Sequence, residues 1–467
     1  MSDLAARGDA GGSGGSSPQA STAGGSAGSS PQASTAGGSA GSSPQAGTTL
    51  GRGLARRAGA SPWLAVTVVF FVNGLLFASW TAHIPHVKDY LRLDDGALGI
   101  ALLGAPAGSV LAMLLAAPLL PRLGSKTIVR ITLVGYCVAG PLVGLTRSFA
   151  MLFVALMAWG AFQGTLDVSM NTQAIAVERQ AGRPLMPGFH GSWSVGAFAG
   201  AAAGVIGVAL GLSLSAQLLL LAAPCLLIAG WLTTAMIGDR HPRHAPPDHR
   251  EHERPDHQQH PPTGSRSRAR TRSSRRRVIW MAIVVLGGIA VADMLCEGAA
   301  ADWAAVYLRT SLHAAPAVAA LGYAAYSLAM VAVRLGGNRL LARFAVHRLL
   351  PFLAALATVL FAAGLAINLI PLVLAGFAGL GAGVAAVIPA VFSAAGRVPG
   401  INAGTAVAIV SAFGWAGFVC GPVIIGQLAG VTSLRLALAL LPALTALVAV
   451  STGTSRVLRA TDDGQGR

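Results

Sequence analysis

Long apolar runs are the feature that most constrains this chain. Outside two polar stretches, residues 1–61 and 238–277, apolar segments follow one another with only short polar loops between them. A helix needs about 20 apolar residues to cross a bilayer core, where its backbone groups must bond within the segment. Only 11% of the residues are charged, against about 25% in a soluble chain. The sequence therefore predicts an all-α polytopic membrane protein.

The apolar runs divide into twelve predicted spans. They lie near residues 63–83, 97–119, 127–146, 149–170, 190–210, 214–237, 278–300, 316–335, 349–368, 371–392, 403–427 and 433–452. We group them into two six-helix halves, 62–237 and 278–453. The Gly-, Ser- and Pro-rich repeats of residues 1–61 predict a disordered tail, because such segments bury too little apolar surface to fold. Residues 238–277 are interpreted as a linker and 454–467 as a second tail.

Positive charge is concentrated in alternate loops. The net charge is +16, and the linker alone holds eleven arginines against five acidic residues. Excess Arg and Lys mark cytoplasmic loops of membrane proteins. We therefore predict that both termini are cytoplasmic and that the protein lies in the plasma membrane. The same charge is better explained by topology and by anionic lipid than by binding to nucleic acid.

The two halves share landmarks at a nearly constant offset. Trp80 precedes Gly99 by the same interval as Trp303 precedes Gly322, and Trp193 matches Trp415. An even number of spans in each half makes the repeats parallel, related by an axis along the membrane normal. Gly196, Gly200 and Gly204 add tandem GxxxG spacing in span 5, which is typical of closely packed membrane helices.

The loop between spans 2 and 3 carries a family motif. The stretch Ala117-Pro-Leu-Leu-Pro-Arg122-Leu-Gly124-Ser-Lys126 resembles the loop 2–3 pattern of the major facilitator superfamily. Pro121 stands in place of that pattern's usual Asp, and Ala117 replaces its first Gly. Four further stretches, 80–85, 164–171, 190–196 and 297–309, are similar to the MosC/YbjJ-like branch. The resemblance implies two halves that rock about a central cavity lined by spans 1, 4, 7 and 10.

Span 7 contains the acidic pair predicted to couple transport to protons. Asp293 and Glu297 are four residues apart and share one helix face. Carboxyl groups inside a membrane are costly and persist where they face a cavity or a partner. We interpret the pair as proton-coupling residues. The alternative is that Glu297 reaches water at the outer boundary while Asp293 pairs with a neighbouring helix.

Spans 1 and 4 carry most of the candidate solute and gating residues, and loop 2–3 and the start of span 5 carry the others. Asn73, Phe77 and Trp80 share a face of span 1, and Gln163 lies near the middle of span 4; these four are the solute-binding candidates. Trp80 is equally typical of an interfacial aromatic belt, and Trp303 is interpreted as such a residue. Asp167, Asn171, Arg122 and His190 are the gating candidates. Asp167 alternatively clamps Arg122 or Arg183, and His190 is alternatively a plain interfacial residue.

No nucleophile, catalytic dyad or phosphate-binding loop is recognisable, so the sequence does not predict an enzyme or a cofactor. The linker's histidines lack regular metal-ligand spacing, and the four cysteines form no disulfide or metal pattern. We predict a monomeric secondary transporter whose partners are a small organic solute, protons and membrane lipid. A non-transporting membrane sensor or scaffold of the same fold remains the alternative, favoured by the altered loop 2–3 motif.

Overall fold

A computed structural model describes residues 61–238 and 265–454. The predictions for the first tail, for most of the linker and for residues beyond 454 lie outside the described residues. Side chains 337–343, including those of Arg339 and Arg343, also lie outside them. Twelve helical segments in the described part are long and apolar enough to cross a membrane, in agreement with the twelve predicted spans.

The helix bounds follow the predicted spans closely. Spans 1 to 6 are Pro62–Thr81, Asp95–Leu102 with Gly104–Leu123, Ser125–Val143, Phe149–Ala181, Met186–Ala209 and Leu214–Leu232. Spans 7 to 12 are Ser265–Thr310, Pro316–Arg343, Val346–Ile367, Ile370–Val384 with Val387–Ala395, Ala403–Val431, and Leu434–Leu438 with Leu440–Thr454. A short helix, Ile84–Leu91, joins spans 1 and 2 and was not predicted.

Several spans depart from the predicted limits. The span 4 and span 8 helices continue to Ala181 and Arg343, and the span 7 helix runs from Ser265, inside the segment predicted as a linker, to Thr310. Span 10 is broken at Ala385 and Ala386. The break has a local cause, because Pro389 has no N–H to donate to the carbonyl of Ala385 four residues earlier. The carbonyl of Ala385 instead accepts a hydrogen bond from the side chain of Arg334.

The packing of the first half is repeated in the second. Spans 1 and 5 form the most extensive contact in the first half, and their counterparts, spans 7 and 11, do so in the second. The contact between spans 2 and 4 is likewise repeated between spans 8 and 10, and the contact between spans 3 and 6 is repeated between spans 9 and 12. The main contacts between the halves join span 2 to span 11 and span 5 to span 8. The fold is therefore two six-helix parallel repeats facing one another.

Large apolar side chains cover the outside of the bundle. Among the exposed ones are Leu111, Leu114, Leu115, Leu219, Leu220, Leu227, Ile228 and Val359. Each lies within a span, and a water-soluble surface rarely exposes so many apolar side chains together. This surface suits contact with lipid chains, in agreement with the apolar runs of the sequence.

Glycines in span 5 allow it to lie directly against span 1. A Cβ atom at Gly196 or Gly200 would come within 3 Å of the backbone carbonyl oxygen of Phe71 or Leu75, respectively. Gly74 makes the reciprocal approach to the carbonyl of Trp193. The predicted packing role of the GxxxG spacing is confirmed, since only residues without a Cβ permit this separation.

The loop 2–3 motif stabilises the first half internally. Gly124 has φ +79°, a conformation that favours glycine, between spans 2 and 3. Lys126 Nζ donates to the carbonyls of Thr234 and Met236, 2.7 and 3.0 Å away, just beyond the end of the span 6 helix. A cation at a helix C-terminus satisfies carbonyls that lack intrahelical partners. The motif therefore ties span 3 to span 6.

A buried histidine lies at the end of the bundle opposite the Arg-rich loops. His83 is 2% exposed, and its Nε2 donates to Gln217 Oε1 at 2.8 Å. Gln217 Nε2 in turn donates to the carbonyl of Ser79 at 3.1 Å. Burial lowers the pKa of His83 from its ordinary 6.5; the bond to Gln217 opposes this, and His86 adds to the lowering. The folded protein therefore favours neutral His83.

Acidification should destabilise the protein through His83. As pH falls below 6.5, the unfolded chain takes up a proton that the folded chain resists, so the free energy of unfolding decreases until the folded pKa is passed. His83→Gln keeps a side-chain donor and removes the titration, so it should reduce the fall in melting temperature between about pH 7.5 and about pH 5. His313→Gln, at an exposed histidine at the same end, is the control. An unchanged acid loss in His83→Gln would contradict the assignment.

Candidate functional site

A central cavity of about 1150 Å³ lies between the two halves. Spans 1, 2, 4 and 5 line it from the first half, and spans 7, 8, 10 and 11 line it from the second, with the start of span 9. The four spans expected from the family resemblance are therefore among its walls. A volume of this size suits a small organic solute, since ligand pockets are typically about 300–1,000 Å³.

The cavity is open at one end of the bundle. We call the end with the loops of Arg122, Arg183 and Arg397 the arginine-rich end. There the cavity lining includes exposed residues, namely Pro187, Gly188, His190, Ser393 and Arg397.

Towards the opposite end the cavity is closed by Trp80 and Leu102, each 3% exposed. Gly99 of span 2 packs against Gly426 of span 11, and Gln427 Nε2 donates to the carbonyl of Gly96 at 3.2 Å. The closure therefore joins the two halves directly.

All four solute-binding candidates line the cavity. Trp193 Nε1 donates to Asn73 Oδ1 at 3.0 Å, and its ring lies 6.2 Å from that of Phe77. Asn73 is only 2% exposed, and its Nδ2 group has no hydrogen-bond partner in the structure. A buried amide donor without a partner is costly, and a bound solute oxygen would satisfy it. Trp80 and Gln163 complete this wall.

The structure places two of the four gating candidates in the cavity lining and two outside it. Asp167 and His190 line the cavity. Asn171 does not, but its Nδ2 donates to the backbone carbonyl and the carboxylate of Asp167, at 2.8 and 3.3 Å. Arg122 is exposed at the end of span 2, away from the cavity lining.

The alternative in which Asp167 clamps Arg122 or Arg183 is wrong. Within the described ranges, the single ion pair joins Lys88 to Asp95 at 2.6 Å, near the closed end. Asp167 lines the cavity, and neither arginine forms an ion pair with it in the part of the chain that the structure describes.

The acidic pair of span 7 is buried between the helices. Glu297 is 7% exposed and lines the cavity, whereas Asp293 is 2% exposed and lies behind the wall. Asp293 Oδ1 has no hydrogen-bond partner in the structure. The alternative in which Glu297 reaches water at the outer boundary is therefore wrong. Among the described residues, no side chain of a neighbouring helix pairs with Oδ1 of Asp293.

Several cavity residues escaped the sequence reasoning. Arg334 of span 8, which is not among the sequence-predicted site residues, lines the cavity. Asp302, Trp415 and Phe418 also line it. Trp303 is fully buried, so its interpretation as a belt residue is wrong. For Trp415 the sequence did offer a signal. It matches Trp193 in the repeat, and equivalent positions of a repeat face the same axis, so both tryptophans were candidates for the cavity wall.

Similarity to known proteins identifies the family of this chain. The sequence model of the Major Facilitator Superfamily matches residues 63–350 of the chain. The chain belongs to the major facilitator superfamily. It is 32% identical over 396 residues to the uncharacterised transporter y4wD of Sinorhizobium fredii, covering 84% of this chain and 97% of that protein. It is 30% identical over 386 residues to the membrane protein MosC of Rhizobium meliloti, covering 82% and 88%.

Solved transporter structures share the architecture. The nucleoside transporter NupG superposes with a TM-score of 0.62 at 13% identity, covering 84% of this chain and 99% of NupG. The D-xylose-proton symporter superposes with a TM-score of 0.61 at 14% identity, covering 84% and 96%. At these identities the similarity establishes the superfamily fold, including the twelve spans predicted from the sequence.

Proposed function

We propose that this superfamily member is a secondary active transporter that moves a small organic solute through the plasma membrane by alternating access. The observation that carries the proposal is the central cavity, which is open at the arginine-rich end and closed at the other by contacts between the halves. The positive-inside rule supports a cytoplasmic location for the open end, so in this proposal the cavity is open to the inside and both termini are cytoplasmic. The protein acts as a monomer in this proposal.

Proton coupling is assigned to Asp293 and Glu297. Both carboxyl groups are removed from water, and one borders the solute cavity. An ionised carboxylate without a partner is costly in such a position, so the pair favours proton uptake when the cavity is closed to water. Water entering the open cavity lowers that cost and permits proton release. The protons and the solute then share one pathway.

Solute recognition is assigned to Asn73, Phe77, Trp80 and Gln163. Asn73 and Gln163 supply amide donors and acceptors, and the aromatic rings supply flat apolar surfaces. Asp167, with Asn171 and His190, lies between this wall and the open end, where it controls passage to the cytoplasmic mouth. Arg122 acts at the surface next to that mouth.

Flux measurements test the function as a whole. Purified full-length protein is first screened for thermal stabilisation by neutral and cationic solutes, with pentoses and nucleosides included because the solved relatives in fold are named for them. Any stabilising compound is then followed in proteoliposomes with and without a pH gradient. Uptake that responds to the gradient supports the proposal. A folded protein that binds the compound but never moves it would instead support a sensor.

Asn73→Leu should weaken solute binding. The substitution keeps the γ-branched shape of the side chain but removes the free Nδ2 donor, and it leaves Trp193 Nε1 without its acceptor. The loss of one hydrogen bond to the solute corresponds to about 0.5–1.5 kcal/mol, or roughly 2- to 12-fold in Kd. Isothermal titration with the stabilising compound measures it. Gln180→Leu, an amide exposed at the arginine-rich end of span 4, is the matched control and should bind normally.

A further inference from the structure

Arg334 is bonded to both halves of the protein. Its Nη1 donates to Ser194 Oγ at 2.6 Å, which joins span 8 of the second half to span 5 of the first. Ser194 is 3% exposed, so this bond is shielded from water and is stronger than a surface contact. This hydrogen bond therefore joins a charged side chain of one half to a side chain of the other half.

The same guanidinium holds the break in span 10. Arg334 Nε donates to the carbonyl of Ala385 at 3.2 Å. This is the carbonyl that Pro389 leaves without an intrahelical donor. Arg334 belongs to span 8 and bonds to both span 5 and the broken span 10. Displacement of its side chain therefore alters the contacts among these three spans.

Arg334 also faces the acidic pair. It lines the same cavity as Glu297, and Asp293 lies one turn of span 7 before Glu297. Neither acid forms an ion pair with it in the structure, where its hydrogen bonds go to Ser194 and Ala385. Other titratable side chains in the same cavity lining are those of Asp167, His190, Asp302 and Arg397, and Tyr323 and Tyr326 lie on span 8 itself. The helices of span 10 contribute no charged residue.

We propose that Arg334 is a positioning residue that connects the charge of the Asp293–Glu297 pair to the contact between the two halves. When the acids are neutral, nothing competes for the guanidinium, and it remains on Ser194. When they are ionised, their charge in a low-dielectric interior draws it towards span 7 and away from Ser194. The contact between spans 5 and 8 then loosens, and the halves separate further at the arginine-rich end than in the structure, where the bond to Ser194 is intact. This inference rests on the proton-coupled function proposed above.

Distance measurements test the inference without a solute. Nitroxide labels are placed at Arg183→Cys and Arg348→Cys, exposed positions in the first and second half, with Cys225→Ala and Cys420→Ala as background. The distances between the two labels are measured by pulsed electron paramagnetic resonance on the full chain in nanodiscs, at about pH 5 and about pH 8. The population with the longer distance should rise severalfold at the higher pH. A pH-independent distribution overturns the proposal.

Three variants and one control separate the proposed role of Arg334 from a purely structural one. Ser194→Ala should remove most of the pH response, whereas Ser192→Ala, which loses a bond to the Thr67 carbonyl in its own half, should retain it. Arg334→Gln should abolish the response. Arg334→Lys, which cannot make both bonds from one planar group, should reduce it and serves if the glutamine variant does not fold. A normal response in Ser194→Ala or Arg334→Lys overturns the proposal.

Two further results identify the titrating group and distinguish this inference from transport itself. Asp293→Asn with Glu297→Gln should hold the short distance at both pH values, whereas His313→Gln, at an exposed histidine outside the cavity lining, should respond normally. A pH response retained without the two acids overturns the assignment to them. A pH response that depends on Arg334 in a protein without solute flux would refute the transporter function and leave this inference standing. Flux coupled to the gradient with no Arg334-dependent response would do the opposite.

Discussion

Replacing Asp293 by asparagine is expected to abolish gradient-driven accumulation of solute while leaving exchange of solute across the membrane intact. The side chain is 2% exposed and has an oxygen without a hydrogen-bond partner, so the protein stabilises its charge poorly. Asparagine keeps the shape and cannot carry a proton. Since a pH difference of one unit corresponds to about 1.4 kcal/mol per proton, up to about tenfold accumulation should be lost for each unit of gradient.

The measurement compares two modes in proteoliposomes loaded with the stabilising compound. Uptake against a concentration gradient reports coupling, and equilibrium exchange reports the movement of loaded carrier. Asp89→Asn, at an exposed acid of the short helix Ile84–Leu91, is the control and should accumulate solute normally. If Asp293→Asn accumulates solute as well as the unmodified protein, Asp293 has no role in coupling.

Gly426→Leu is expected to disturb closure of the end opposite the arginine-rich loops. A Cβ at Gly426 would lie 2.7 Å from the carbonyl oxygen of Asp95 and 2.9 Å from the Cα of Gly99. A leucine therefore forces span 11 away from span 2 in the state described by the structure. Overpacking of about 1–3 kcal/mol changes the balance between two conformations roughly 5- to 150-fold. Transport should fall accordingly, because both states must be visited in each cycle.

Alkylation of a cysteine introduced at Leu102 reports the shift. Leu102 lines the closed end of the cavity and is 3% exposed, so Leu102→Cys should react slowly in the parent and much faster with Gly426→Leu. Cys420→Ala removes the exposed native thiol. Gly288→Leu, at an exposed glycine of span 7 whose Cβ would meet no atom within 4 Å, is the matched control. Equal labelling rates in the two leucine variants would show that this contact is not a gate.

The fold was predictable because its determinants are local in sequence. A bilayer imposes one length and one hydrogen-bonding solution on each apolar run, so twelve runs specify twelve helices without knowledge of their packing. The repeated tryptophan and glycine landmarks then indicate two parallel halves. The limits of spans 4 and 7 were less predictable, because these helices continue into polar residues that composition alone assigns to loops.

The candidate site was predictable in part. Asn73, Phe77, Trp80 and Gln163 share helix faces that the period of the helix reveals, and all four line the cavity. The environment of Glu297 was not predictable, because its distance along span 7 suggests contact with outer water. The second half and the short helix Ile84–Leu91 cover that end of span 7 instead.

Arg334 illustrates what only the tertiary structure decided. By sequence it is one of several basic residues near the end of span 8, and the charge rule places it at the membrane surface. The structure brings it into the cavity, because the break in span 10 offers it a free carbonyl and span 5 offers it Ser194, 140 positions away in the chain. The sequence by itself determined the helices, the repeat and the acids, which depend on local composition. Which of those acids, amides and arginines meet depends on contacts between distant spans, and helix periodicity carries no information about them.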